Sequence, residues 1–170
     1  MTEEAIARTR STIVSSPIGD ILLTGDGRAL TGLYMSPHRG RPAVRYEARD
    51  EADDRLFDDV ISQLDSYFAG EREVFDVSLR PVGTPFQLRV WAELSRIPYG
   101  ETISYGELAR RVGSPNGFRA VGQANGRNPI SVIVPCHRVI GADGSLAGYG
   151  GGADRKRFLL DLEGASRRLV

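Results

Sequence analysis

Hydrophobic and polar positions change their period as the chain proceeds. Residues 11–15, 20–24 and 29–34 are short β-rich runs separated by Pro17-Ile18-Gly19 and Gly25-Asp26-Gly27, which predicts an antiparallel meander. Residues 36–49 mix Pro, Gly and Arg without apolar period and read as an exposed loop. Over residues 50–69 the period lengthens. Leu56, Phe57, Val60, Ile61, Leu64, Tyr67 and Phe68 recur at three and four, acids crowd the start and Gly70 follows the end, so an amphipathic helix is expected. Residues 74–79 alternate like a further strand. They close an α/β unit near Pro81-Val82-Gly83.

The second half has a helical rhythm. Thr84-Pro85-Phe86-Gln87 is a capping box with proline at the first helical position, ahead of Val90, Trp91 and Leu94, and predicts a helix from 85 to about 95. Pro98-Tyr99-Gly100 breaks it. Ser104-Tyr105-Gly106-Glu107 reads as a second capping box opening a helix to Gly113, and after Ser114-Pro115-Asn116-Gly117 a third helix runs through residues 119–125. Two short helices joined by a tight glycine-containing turn are a helix-turn-helix pattern. Gly117, Ala120, Gly122, Ala124 and Gly126 leave the third helix little side-chain bulk. That suits either tight packing against a neighbouring helix or a backbone pressed into a narrow DNA groove. Residues 130–134 read as a buried strand or extended segment ended by Pro135. A glycine-rich loop over 143–152 precedes a last helix at about 153–163, with Phe158, Leu159 and Leu162 as its stripe.

Composition narrows the picture. With 170 residues, 41% of them hydrophobic, the chain can bury one ordinary core or two small ones. One cysteine excludes an internal disulfide, a Cys-x-x-Cys pair and a multi-thiolate zinc site, and two histidines far apart argue against a metal. A signal peptide and a membrane span have no sequence counterpart, so a cytoplasmic protein in a reducing compartment is expected. The net charge of zero hides an asymmetry: residues 1–83 carry 10 Lys+Arg against 15 Asp+Glu, and residues 84–170 carry 12 against 7. A basic half beside an acidic one fits a polyanion such as nucleic acid, although a charge of this size is also ordinary. Lys156 is the one lysine. It reads either as a contact to the active-site loop or a phosphate, or as a solvated helix residue.

The candidate chemistry centres on Pro135-Cys136-His137-Arg138. A thiol with a pKa of about 8.5 is only slightly ionised at neutral pH, so a working nucleophile needs a base beside it. His137 is adjacent, yet neighbouring side chains diverge, and a bridging water fits better than a direct contact. The alternative is a lone cysteine buried and inert in the core. A carboxylate to orient the imidazole is also needed, and Glu163 is one of seven acids in this half.

Pro135-Cys136-His137-Arg138-Val139-Ile140, with Arg119-Ala120-Val121-Gly122 and Asn128-Pro129 before it and Gly148-Tyr149-Gly150-Gly151-Gly152 after it, closely resembles the O6-alkylguanine-DNA alkyltransferase family. The resemblance runs nearly without gaps over residues 84–170. It implies two domains: an N-terminal ribonuclease-H-like α/β scaffold (residues 1–80), and a mainly α, winged-helix-like helix-turn-helix domain carrying the active site (84–170). It implies a DNA-repair methylated-DNA–protein-cysteine methyltransferase that flips O6-alkylguanine out of duplex DNA and moves the alkyl group irreversibly to Cys136. By similarity, His137 acts on the thiol through a water and Glu163 orients it, while Asn128 braces the turn and Tyr105 hydrogen-bonds the flipped base. Arg119 takes the place of that base in the stack. Ala120, Gly122, Ala124, Asn125 and Gly126 would meet the minor groove, and Tyr149, Gly150, Val139, Ser131 and Ala147 would line the guanine pocket.

No cofactor is implied, because the oxygen of guanine leaves once a donor stabilises it. A monomer is expected, with clustering on DNA left open. Vertebrate-type members carry zinc ligands in the N-terminal domain that this chain lacks, so no structural metal is expected. Ser131 and Ala147 stand where some relatives have proline and glycine, which bears on how large an adduct fits. Two rival readings are an alkyltransferase-like protein that binds lesions without transfer, which replaces the cysteine retained here, and a Cys-His hydrolase that would turn over repeatedly.

Overall fold

The computed structural model describes residues 9–36, 49–146, 149 and 151–165. The three N-terminal runs form β1 (Arg10–Val14), β2 (Ile21–Gly25) and β3 (Leu30–Met35), an antiparallel sheet in the order β1-β2-β3. Every residue of β2 is buried, because helix α1 (Glu51–Phe68) packs against this central strand. The start of α1 is fixed by a reciprocal cap. The Asp50 carboxylate accepts from the Asp53 N–H and the Asp53 carboxylate from the Asp50 N–H, both at 2.9 Å. Phe57, Val60, Leu64 and Tyr67 then fall on the buried face, as spacing of three and four requires.

Residues 74–79 do not form the expected strand. They make a single parallel bridge, Leu79 to Leu30, with Leu30 N–H donating to Ser78 and Arg80 N–H to Leu30, each at 2.8 Å. The reason lies in α1, whose Gln63 amide accepts from the Asp76 N–H (2.8 Å) and donates to its carbonyl (2.9 Å). A side chain thereby takes the backbone groups that a ladder would have used. The loop expected over 36–49 lies, apart from its two ends, outside the described residues.

The second half comprises α2 (Pro85–Leu94), β4 (Ile103–Ser104), α3 (Tyr105–Arg111), α4 (Phe118–Gly126), a single 3-10 turn at Cys136–Arg138, β5 (Val139–Ile140) and α5 (Ala153–Leu162). Strands β4 and β5 pair in parallel, and α4 packs on both α2 and α3. The Thr84–Gln87 box forms in both directions, at 3.1 and 3.0 Å. The box read at Ser104–Glu107 forms only by half. Ser104 Oγ accepts from the Glu107 N–H at 3.0 Å, but the Glu107 carboxylate turns away to Arg110 (2.6 Å) and Arg111 (3.1 Å), two charges within its reach one turn along.

Residues 131–134 form a tight turn where a strand or extended segment was expected. Only Ile130 bridges to a strand, and Val134 N–H returns to the Ile130 carbonyl at 3.0 Å. Val132 has φ 73°, a left-handed conformation that costs a β-branched residue on the order of 1–3 kcal/mol. This turn is stitched to the N-terminal sheet, since Leu33 N–H donates to Pro129 (2.8 Å) and Ser131 N–H to Leu33 (3.1 Å). The main core is accordingly continuous across both halves, joining Leu23, Leu33, Phe57 and Tyr67 to Trp91, Val121, Val139 and Leu159. Among the described residues no helix is long and apolar enough to cross a membrane.

Candidate active site

Cys136 opens the 3-10 turn, where Pro135 ends the preceding segment and the Arg138 N–H donates back to the Pro135 carbonyl at 3.0 Å. A one-turn helix beginning at the cysteine sends three consecutive side chains in three directions, and all three are buried. His137 Nε2 lies 2.8 Å from Glu163 Oε2. Arg138 forks onto the same carboxylate, Nε to Oε1 at 2.8 Å and Nη2 to Oε2 at 3.0 Å, and its Nη1 donates to the Ile97 carbonyl at 2.6 Å. Glu163 reaches this point because it caps the C-terminus of α5. Gly100, at φ 77°, brings its N–H to 3.4 Å from Oε1 in a conformation that favours glycine, and a Cβ there would press on the Glu163 carbonyl at 3.1 Å.

Electrostatics follow from burial and pairing. Burial pushes the Glu163 carboxyl up, but the hydrogen bonds and charges of His137 and Arg138 together outweigh it and hold the group well below the usual carboxylate range. Burial pulls His137 down, against the opposing pull of Glu163, so the imidazole is neutral at neutral pH. Burial raises the Cys136 thiol, while Asn128, the positive charge of Lys156 and Ser131 act in the other direction. The thiol is therefore protonated at rest and needs a base.

Asn128 braces the turn. Its Oδ1 accepts from the Ile130 N–H at 3.0 Å and its Nδ2 donates to the Val134 carbonyl at 2.7 Å, which holds Val132 in its strained conformation. Asn125 Nδ2 lies 3.4 Å from the Cys136 carbonyl. Tyr105, at the start of α3, is raised in pKa by burial and by Cys136, with Asn125 lowering it in part, and so keeps its phenolic proton. Lys156 is fully buried, its ammonium 5.7 Å from the Tyr105 ring and 5.9 Å from the Tyr149 ring, donating to the Val139 carbonyl. Burial pulls its pKa down to about 8. That overturns both the solvated and the phosphate readings of this lysine and leaves contact with the active-site loop.

Four polar atoms in this region are buried without a nitrogen or oxygen partner in the protein: His137 Nδ1, Asn125 Oδ1, Ser131 Oγ and Tyr149 OH. For Ser131 and Tyr149 the thiol itself is the hydrogen-bond partner. Buried polar atoms are normally satisfied, so His137 Nδ1 and Asn125 Oδ1, which lack any partner in the protein, mark a place beside the thiol that a polar guest can complete.

The sequence-derived candidates Cys136, His137, Glu163, Asn128, Tyr105, Ser131, Val139 and Tyr149 converge here. Ala147 and Gly150 lie outside the described residues. Arg119 and Ala120 are exposed on α4, and Gly122 and Gly126 are half-buried. A Cβ at Gly122 would meet only ordinary contact with the Tyr105 ring at 3.9 Å, so packing inside the protein does not demand glycine there. Ala124 and Asn125, expected in the groove, are buried instead. The Ala124 carbonyl accepts from the Trp91 indole at 2.8 Å, so that edge of α4 faces α2 rather than outward. Sequence reasoning missed Tyr67, whose hydroxyl meets Glu163 at 2.6 Å from the other half of the chain, and it gave Arg138 no role. Tyr67 was hidden inside an apolar stripe. Arg138 was visible in the motif itself.

A single buried thiol with a neutral imidazole beside it, set under a helix-turn-helix, defines a nucleophile site on a DNA-binding type of scaffold. Residues 9–81 match the ribonuclease-like domain, and residues 85–165 the DNA-binding domain, of 6-O-methylguanine DNA methyltransferase. The methylated-DNA–protein-cysteine methyltransferase of Mycobacterium bovis is 53% identical over 150 residues, covering 88% of this chain and 89% of that protein. That of Methanosarcina acetivorans is 51% identical over 153 residues, covering 90% and 97%. The Mycobacterium tuberculosis OGT, solved in complex with DNA, superposes with a TM-score of 0.81 at 52% identity over 92% of each chain. The chain belongs to the 6-O-methylguanine DNA methyltransferase family.

Proposed function

We propose that this protein repairs duplex DNA by moving the alkyl group of O6-alkylguanine onto Cys136 of its own chain. The observation that carries this reading is a thiol that burial keeps protonated, ringed by buried polar atoms that have no nitrogen or oxygen partner in the protein. Sγ attacks the saturated carbon on O6. An S–C bond forms, the C–O6 bond breaks, and its electron pair passes to the guanine. The thiol proton leaves through a water to His137 Nδ1, and a proton returns to the base, so the net products are a thioether and normal guanine. Tyr105 and Lys156, both beside Cys136, favour charge that builds on the base. A thioether has no carbonyl for water to attack, so each molecule acts once.

Asn128 holds the turn, Glu163 orients His137, and Ser131, Val139 and Tyr149 line the guanine site. Arg119 enters the stack in place of the flipped base, with Ala120, Gly122 and Gly126 allowing the backbone of α4 close approach in the minor groove. A cytoplasmic location suits such a role. Incubation with a duplex carrying O6-methylguanine, followed by intact-mass measurement, should add one methyl to the protein and none to Cys136→Ser. Tight binding with no added mass in the parent chain would instead indicate a lesion-binding protein.

A further inference from the structure

Glu163 is held by more than its two neighbours in the motif. Oε2 faces three donors: His137 Nε2 at 2.8 Å, Arg138 Nη2 at 3.0 Å and the Tyr67 hydroxyl at 2.6 Å. Tyr67 is fully buried near the end of α1, 96 positions before Glu163, and its ring is wedged by Phe68 (5.4 Å, edge-on), Phe75 (5.3 Å) and Tyr99 (6.3 Å, edge-on). A buried phenol needs a partner for its proton. Here burial and the charge of Glu163 raise its pKa well above the ordinary value, so it stays a donor. A phenylalanine would satisfy the apolar pattern of α1 equally well, so the hydroxyl has a use beyond packing.

We propose that Tyr67 is a positioning residue for alkyl transfer: its hydroxyl shares Glu163 Oε2 with His137 and so sets both the orientation and the basicity of the imidazole. The physical argument is competition for one oxygen. Each donor on Oε2 withdraws electron density from it, and a carboxylate already serving Arg138 and Tyr67 attracts the Nε2 proton of His137 less strongly. His137 then keeps that proton on Nε2 and presents Nδ1 as the acceptor. It also stays neutral to lower pH than it would beside a bare carboxylate. The charged and titratable groups around the imidazole and its carboxylate are Glu163 at the cap of α5 and Lys156 within it, Arg138 and the neighbouring Cys136 from the same turn, and, on the carboxylate, Tyr67 from α1 and Tyr99 from the segment before β4. Among these, Tyr67 is the contribution of the N-terminal half to the relay. That half therefore acts on the chemistry and is more than a scaffold.

The proposal rests on Cys136 being the acceptor, and its test separates the two claims. Tyr67→Phe should slow single-turnover transfer at neutral pH by about three- to tenfold. It should also move the acid limb of the pH–rate profile to higher pH. The sign follows from linkage: losing a donor makes Glu163 a stronger acceptor, this stabilises protonated His137, and the base is lost earlier as pH falls. In a Glu163→Gln background Tyr67→Phe should have no further effect on rate. If Tyr67→Phe folds poorly, a 3-fluorotyrosine at position 67 preserves the shape with a stronger donor and should move the acid limb the other way. Titration of the His137 ring nitrogens by NMR reads the same shift without any transfer, so a protein that fails to methylate itself still tests the role of Tyr67. An unchanged acid limb and imidazole titration in both variants, or equal slowing by Tyr67→Phe in the parent chain and in the Glu163→Gln background, would overturn it.

Discussion

The two sides of the Cys136 turn are built on opposite principles. On one side, His137 Nε2, Arg138, Glu163, Tyr67 and the Gly100 N–H form a closed set in which both carboxylate oxygens are occupied by protein donors. On the other, Ser131, Tyr149 and Asn125 each leave a polar atom buried without a nitrogen or oxygen partner. Both sides bury polar groups at comparable depth. The difference teaches which polar contacts are completed on folding and which are left open. Proton handling is preorganised, so its reorganisation cost is met in advance. On the side proposed to take the guanine, polar atoms without a nitrogen or oxygen partner leave room for a base edge to add hydrogen bonds, which an apolar guest could not.

Breaking the closed side should have the largest effect. Glu163→Gln removes the charge opposite a buried arginine, and should destabilise the protein by about 3–5 kcal/mol in urea unfolding. It should also slow transfer by about a hundredfold or more in single-turnover assays. The same ion pair predicts pH dependence. The carboxyl of Glu163 is depressed below its unfolded value of 4.5, so its stabilisation is fully present above that pH and is lost as pH falls through the folded value. Unfolding free energies measured from pH 7 downward should show this loss in the parent and a shallower fall in Glu163→Gln.

A smaller effect is expected where the two sides meet. Asn128→Ala frees the Ile130 N–H and removes one of the two donors on the Val134 carbonyl, which keeps the Cys136 N–H at 2.8 Å, and should cost about 1–3 kcal/mol, with slower transfer because the strained Val132 turn is held less firmly. On the outer face, Arg119→Ala should alter stability by no more than about 0.5 kcal/mol, because the residue is exposed. Its loss should slow repair of a well-paired lesion more than of one in a mispair, where extrusion is already cheap. Equal losses on the two duplexes would remove Arg119 from the role of finger. The smallest change belongs to the open side: Ser131→Ala should leave stability nearly unaltered, and transfer rates across methyl, ethyl and benzyl adducts would show whether this position sets adduct size.

Much of this was legible in the chain. Helix α1 announced itself through its spacing of three and four, and α2 through Thr84, Pro85 and Gln87. Those are local signals, set by side chains within one or two turns of each other. The strand expected at 74–79 failed because Gln63, more than ten positions away, took the backbone groups of Asp76. The turn at 131–134 defeated an apolar run because Asn128 and Leu33 bind its backbone from outside. Ala124 and Asn125 are buried while Arg119 and Ala120 on the same helix are exposed, and helical spacing alone does not say which edge meets a neighbour.

By itself, the sequence determined that there is one thiol, which imidazole and arginine follow it, that two short helices joined by a tight turn make a helix-turn-helix pattern, and to which family the motif belongs. These follow from residue identity and short-range spacing. Tertiary structure alone decided how Glu163 divides its two oxygens between His137 and Arg138, that Lys156 is buried between two tyrosines, and that a tyrosine of the N-terminal half reaches the same carboxylate. Each is a choice of neighbour that spacing along the chain does not make. Folding makes it by distance, because a hydrogen bond acts only within about 3 Å, whatever the separation along the chain.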